Sequence, residues 1–355
     1  MSNPKRHHYL PDFFLRGFGD GERLAVFDLE KNECRIQSTR NIAVIGHYYS
    51  FEWEDGTRDD GIEKMLSRIE GRAKPVIERL DKRLNINNED RVNLAYFLAF
   101  LIVRTPRHEK SCADVTDIGM KHLTKSFFPT PAAVYSYFKN TSEEMTQEQA
   151  RFFHDFVHEE RYIVKPSRNA AIVETIDRAQ EITPHIMLMD WLVVHTLEDK
   201  PFVLSDAPLG FIIDEKDLGT GEPVLGLLSD RVVKVVPLST TSCLLMVSVA
   251  PKAKLVHLDI ADKEVDQLNT AVIQESERII VGKDEKSVTE AIQKASLTRR
   301  GGSKMRLDEI PHPTDPLRSL LVMHRTQIGH EKIPLTLDTA AIWADLNARK
   351  RENAD

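Results

Sequence analysis

The chain has 355 residues, of which 29% are charged and 41% hydrophobic, and a formal net charge of −7. Its apolar content excludes a disordered tail, and 16 Gly and 17 Pro exclude a collagen-like or low-complexity chain. The acidic balance excludes coating of nucleic acid by bulk charge, while a local basic site stays open.

Cys34, Cys112 and Cys243 are far apart and form no CxxC pair, so neither a zinc knuckle nor a disulfide framework is expected. Sparse cysteines suit a reducing compartment. The first residues show no apolar signal segment. The longest apolar run, Ala95 to Val103, is about half of a bilayer span. The sequence therefore predicts a soluble, cytoplasmic protein with no membrane partner.

In chain order, Leu24–Phe27 and Cys34–Gln37 read as two strands of a hairpin, and His47–Phe51 as a third extended segment. From Asp59 to about Leu84 apolar residues recur at the helical period, with Pro75 placed to kink or break the helix. A second helix opens at Asn87 or Asn88, where Glu89 and Asp90 favour its positive end, and closes near Thr105-Pro106. Helical pattern returns over 114–125, 142–160 and 169–189.

Beyond Asp190 the texture is β-rich: Trp191–His195, Pro201–Leu204, Leu209–Ile213, Val232–Val236 and Cys243–Val249. Ile260 to Gly282 reads as a helix, Thr298 to Pro316 as a loop, and Asp338 to Arg351 as a last helix. The fold class is α+β, with N-terminal hairpin elements, a long helical middle and a C-terminal, mostly antiparallel sheet with flanking helices. Residues 1–355 read as one interdependent domain, with lobes at 1–190 and 191–355.

Several ordered motifs resemble one bacterial family of unknown function, numbered 4238. The stretch His7-His8-Tyr9-Leu10-Pro11-Asp12-Phe13-Phe14-Leu15-Arg16-Gly17-Phe18 is similar to its opening signature. Tyr48-Tyr49-Ser50, Ile62-Glu63 with Ile69-Glu70, Arg104-Thr105-Pro106-Arg107, Phe202 to Pro208, and Asn269 to Arg278 resemble its later elements. One departure is Ala207, where the family pattern has Asn, so no role resting on that amide carries over. Family members occur among bacterial antiviral defence genes, which implies a role in limiting phage infection and names no reaction.

Residue chemistry suggests how these motifs could act. Imidazole serves acid–base work near neutral pH, and only one of two adjacent residues in a strand faces a given site. His8, beside Tyr9, is favoured over His7. Glu63 and Glu70, seven residues apart, share a helix face about 10 Å apart and are too distant to share one metal. Asp206 follows an apolar strand, as a ligand or catalytic carboxylate does, or as an Asx-turn does. Arg104, after an apolar run, needs a carboxylate or phosphate partner if buried.

These residues define the expected site. His8, Glu63, Glu70 and Asp206 are the catalytic candidates. Tyr9, Arg16, Tyr49, Arg104, Arg107 and Ser205 are the substrate contacts. The corresponding function is an antiphage effector hydrolysing nucleic acid or a nucleotide. The alternative is a non-catalytic module that senses a phage protein or small ligand. A phage component is the expected trigger. A divalent metal cofactor, the substrate and the oligomeric state are left open.

Other patterns point to structure. Arg151/His158 has a ribonuclease-like spacing too common to inform. His154 and His158 share a helix face but lack a third metal ligand. No Walker loop, Gly-x-Ser-x-Gly elbow or separated nuclease core is present.

Overall fold

The computed structural model describes residues 6–139, 141, 143–197, 200–214, 226–229, 232–248, 255–295, 303–311, 319–327 and 336–337. The chain divides into two compact units. The first takes its described residues from 1–106, 172–300 and 329–355, and the second from 107–171 and 301–328. The architecture is α+β.

Strand β1 (Arg6–His8) leads into the short helix α1 (Asp12–Arg16). Then β2 (Arg23–Asp28) and β3 (Glu33–Ser38) form the expected hairpin, with Phe27 opposite Cys34. Strand β4 (Val44–Gly46) returns antiparallel to β1 and sets His7 opposite Ile45. The expected strand over 47–51 is instead a turn. His47 takes φ +53°, and the Ser50 N–H donates to the His47 carbonyl at 3.2 Å. A left-handed residue breaks the extended path, and only β5 (Phe51–Glu52) and β6 (Arg58–Asp59) follow as a short ribbon.

Helix α2 (Gly61–Asp81) carries Pro75 in its interior without ending. Burial of Ala73, Val76, Ile77 and Leu80 around the proline offsets the backbone bond it cannot make. Helix α3 (Asn88–Val103) begins at a capping box, in which Asn87 and Asp90 each accept the other's backbone N–H. From Leu94 to Val103 all residues but Tyr96 and Ile102 are buried, so this is a core helix on nearly every face.

Helix α4 (Pro106–Phe127) runs into the second unit, where α5 (Pro131–Phe138) and α6 (Gln147–His158) meet through Phe128, Phe138 and Phe153. Helix α7 (Arg168–Leu188) returns the chain to the first unit.

There β7 (Asp190–Thr196), β8 (Leu204–Ser205), β9 (Gly210–Asp214), β10 (Val232–Pro237), β11 (Ser242–Val247) and β12 (Leu255–Ile260) follow. Every residue of β10 and β11 is buried, as a central strand covered on both faces requires. Helix α8 (Asp262–Glu275) packs over β9 at Gly210, where a Cβ would stand 2.8 Å from the Ala271 and Val272 backbone.

The expected helix over 260–282 ends early. Ile279–Gly282 is a strand, β13, because its Ile-Ile-Val run fills the gap between β2 and β8. Helix α9 (Glu285–Lys294) follows, capped by Asp284. The expected loop over 298–316 contains β14 (Ser303–Pro311), paired antiparallel with β15 (Ser319–Gln327) in the second unit. Met305 and Leu307 alternate with Lys304, Arg306 and Asp308, the two-residue period of a strand.

A short β16 (Thr336–Leu337) completes the six-stranded sheet in the order β12-β7-β11-β10-β9-β16. That sheet is antiparallel except at the β12–β7 and β9–β16 pairs. A four-stranded sheet has the order β3-β2-β13-β8. The helix expected over 338–351 lies outside the described residues. Among the described residues no helix is long and apolar enough to cross a membrane.

Candidate functional site

The N-terminal strand decides which histidine faces inward. His7 is 1% exposed. Its Nδ1 accepts the Tyr49 backbone N–H at 2.9 Å, and its ring stacks on that of Tyr49. An Nδ1 that accepts cannot also carry the proton, so the neutral ring is protonated at Nε2. That Nε2 lies 2.9 Å from Glu63 Oε2. The contact is not a straight hydrogen bond, so the neutral ring steers Glu63 by its dipole and by proximity.

The favoured histidine, His8, points the other way. Its Nε2 stands 3.4 Å from the Thr39 carbonyl. Burial pushes its imidazole below the ordinary range, against that carbonyl and the charges of Asp12 and Glu70. Strand alternation allowed only one inward histidine, and the buried pairing with Tyr49 selected His7.

Helix α2 supplies the carboxylates. Glu63 is 40% exposed and Glu70 24% exposed. Asp60, just before the helix, accepts from Ser50 Oγ at 3.1 Å, and Ser50 Oγ lies 3.5 Å from His47 Nδ1. The cleft beside Glu63 has a volume of about 390 Å³ and is lined by Asp60, Glu63, Lys64, Ser67 and Arg68. Those positions recur at three- and four-residue steps on one helix face. Asp60, Lys64 and Arg68 were not singled out from sequence, though this spacing was available to show them.

Glu70 pairs with Arg104 at the end of α3, where Nη1 donates to Oε1 at 2.7 Å. Tyr49 joins the two halves, because its phenol donates to the Arg104 carbonyl at 2.9 Å while its ring lies on His7. Glu63, His7, Tyr49, Arg104 and Glu70 thus form one linked network.

The remaining candidates sit elsewhere. Arg16 is held by Asp12 at 2.8 Å and Glu22 at 3.3 Å, with Asp12 also taking the Thr39 hydroxyl. Arg107 belongs to the second unit, and its carbonyl accepts from Ser111 Oγ. Tyr9 is buried, and burial with the nearby Asp206 charge pushes its phenol up, so it stays neutral. Ser205 Oγ donates to the Ala207 carbonyl and accepts the Ala207 N–H, closing on its own turn.

Asp206 is buried. It accepts from Ser276 Oγ and from the N–H groups of Glu277, Arg278 and Ile279, at 2.8–3.2 Å. Burial pushes its carboxyl up, opposed by those four donors. This is a long-range clamp on the turn before β13, neither an Asx-turn nor an open carboxylate. Asn269 acts similarly, accepting from Val203 N and donating to the Pro201 carbonyl.

The ligating atoms of His7, Asp60 and Glu63 lie within 4.8 Å of one another. A metal at that point needs a lone pair on His7 Nε2. The Tyr49 N–H occupies Nδ1 and leaves the proton on Nε2, so the ring offers no such pair without breaking that bond. His154 and His158 stack at 4.1 Å, but His158 Nε2 lies 2.9 Å from the Phe128 carbonyl and His154 Nδ1 3.2 Å from Asp155. These contacts make the pair structural.

Fold and network together define an α+β protein with a buried His–Tyr–Arg core flanked by two helix carboxylates. The chain belongs to the family DUF4238, described as proteins of unknown function, whose model matches residues 6–286. Among curated proteins and among solved structures nothing matches the chain.

Proposed function

We propose that the protein hydrolyses a phosphate ester at the α2 cleft, as a cytoplasmic antiphage effector responding to a phage component. The observation that carries the chemistry is Glu63. Its carboxylate is backed by a buried histidine and opens on a cleft that also holds Lys64, Ser67 and Arg68. The defence setting rests on the family resemblance.

In this reading Lys64 and Arg68 hold the phosphate and offset developing charge. Glu63 takes a proton from a water whose oxygen bonds to phosphorus. The ester P–O bond breaks, and the leaving alkoxide takes a proton from solvent. His7 touches no reacting atom and is a positioning residue for Glu63.

A second reading, a non-catalytic module that senses a phage protein or small ligand, draws on Asp206, Ser205 and Asn269. All three direct their polar atoms to the protein's own backbone or its adjoining turn. Incubation of the purified chain with total RNA, plasmid and nucleotides, with and without divalent metal, separates the two. Turnover that Glu63→Gln abolishes supports hydrolysis. No turnover in any condition, with stable ligand binding, supports the module.

A further inference from the structure

Arg104 is 2% exposed. Its Nη1 is engaged by Glu70, whereas Nε and Nη2 are buried and meet no hydrogen-bond acceptor among the described residues. A guanidinium offers five N–H donors in a rigid plane, and its Nε–Nη2 edge matches the spacing of two oxygens on one acid group. Glu70 therefore occupies the other side of the fork and leaves a two-pronged edge available. Buried donors in folded proteins are nearly always paired, so this edge calls for an acceptor that the described residues do not supply.

We infer that the Nε–Nη2 edge of Arg104 binds the terminal phosphate of a small ligand. Burial decides between ligand classes. An internal phosphodiester carries chain on both sides and cannot lower its phosphate to a guanidinium this deep, whereas an end group can. Glu70, partly exposed, holds the neighbouring Nη1. Glu70 also brings a like charge to the bound phosphate, which gives the inference a direction of its own: neutralising Glu70 tightens binding. Naming the ligand as the substrate rests on the proposed hydrolysis; the binding itself does not.

The test is calorimetric titration of the full chain with inorganic phosphate, a nucleoside 5′-monophosphate, and a dinucleoside monophosphate that has only an internal diester. Inorganic phosphate and the monophosphate are expected to bind, and the diester to bind at least tenfold more weakly. Arg104→Lys keeps the charge but loses the fork, and is expected to weaken phosphate binding tenfold or more. Glu70→Gln is expected to tighten it several-fold. Turnover is read separately in Glu63→Gln, which is expected to lose hydrolysis, so a failure of binding and a failure of turnover are told apart. The inference is overturned by no phosphate binding at millimolar concentration, by equal binding of the diester, or by unchanged affinity in Arg104→Lys. Should Arg104→Lys not fold, unchanged or weaker affinity in Glu70→Gln overturns it alone.

Discussion

His7 and Tyr49 are locked to each other twice. The Tyr49 N–H donates to His7 Nδ1 at 2.9 Å, and their rings stack 5.9 Å apart with 6° between planes. One contact sets the tautomer and the other sets the ring plane. Together they hold Nε2 2.9 Å from Glu63 Oε2. The φ +53° turn at His47 is what brings the Tyr49 N–H round to the ring.

Replacing His7 by Phe keeps the stack and removes both polar contacts. The buried Tyr49 N–H then loses its acceptor, at a cost of about 1–3 kcal/mol. Urea denaturation should show that loss. Turnover should fall about tenfold to a hundredfold, because Glu63 loses its backing. A variant as stable as the parent would show that the Nδ1 contact contributes nothing.

Tyr49→Phe isolates the other end of the link. It removes only the phenol bond to the Arg104 carbonyl and should cost about 1 kcal/mol. The His7 stack survives in that variant, so its activity loss should be smaller than that of His7→Phe. The reverse order would mean that the Arg104 end matters more.

Asp206→Ala removes the acceptor of four donors on residues 276–279. The expected loss is about 3–5 kcal/mol, read by denaturation midpoint. Protein that remains folded should keep the activity of the parent. Full stability with lost activity would return Asp206 to the catalytic role its sequence position suggests.

Acid sensitivity should come from a different pair. His195 Nε2 and His257 Nδ1 lie 3.0 Å apart on neighbouring strands, beside the Arg83–Asp259 ion pair. Burial, then Arg83 and His257, lower His195 to about 4 against the pull of Asp259. The unfolded chain, near 6.5, binds the proton first as pH falls. Stability is therefore fully present above about 6.5 and declines towards about 4, by about 2–3 kcal/mol. Denaturation at pH 7 and pH 5 should show the decline, and His195→Gln should reduce it. Equal decline in parent and variant would assign the sensitivity to other groups.

Much of this was legible in the residues. The β2–β3 hairpin and the Asn87 cap followed from local pattern, because turn and capping chemistry act within a few residues. Glu63, Glu70, Tyr49 and Arg104 stood out as motif residues, and the fold links them. Three things were not local. Whether His7 or His8 faces inward depends on β1–β4 register. Asp206 finds its donors some seventy residues further along the chain, on a turn that sequence pattern placed inside a helix. The β13 strand looked helical because a short Ile-Ile-Val run is ambiguous until β2 and β8 flank it.

The measurement that bears most directly on the α2 cleft is phosphate-ester turnover by purified parent and Glu63→Gln protein. Phage protection in cells expressing each should be read alongside it. The proposed chemistry predicts a fall in kcat of about a hundredfold or more in Glu63→Gln, loss of protection, and an unchanged denaturation midpoint. Glu63→Gln protein that turns over and protects like the parent would contradict it.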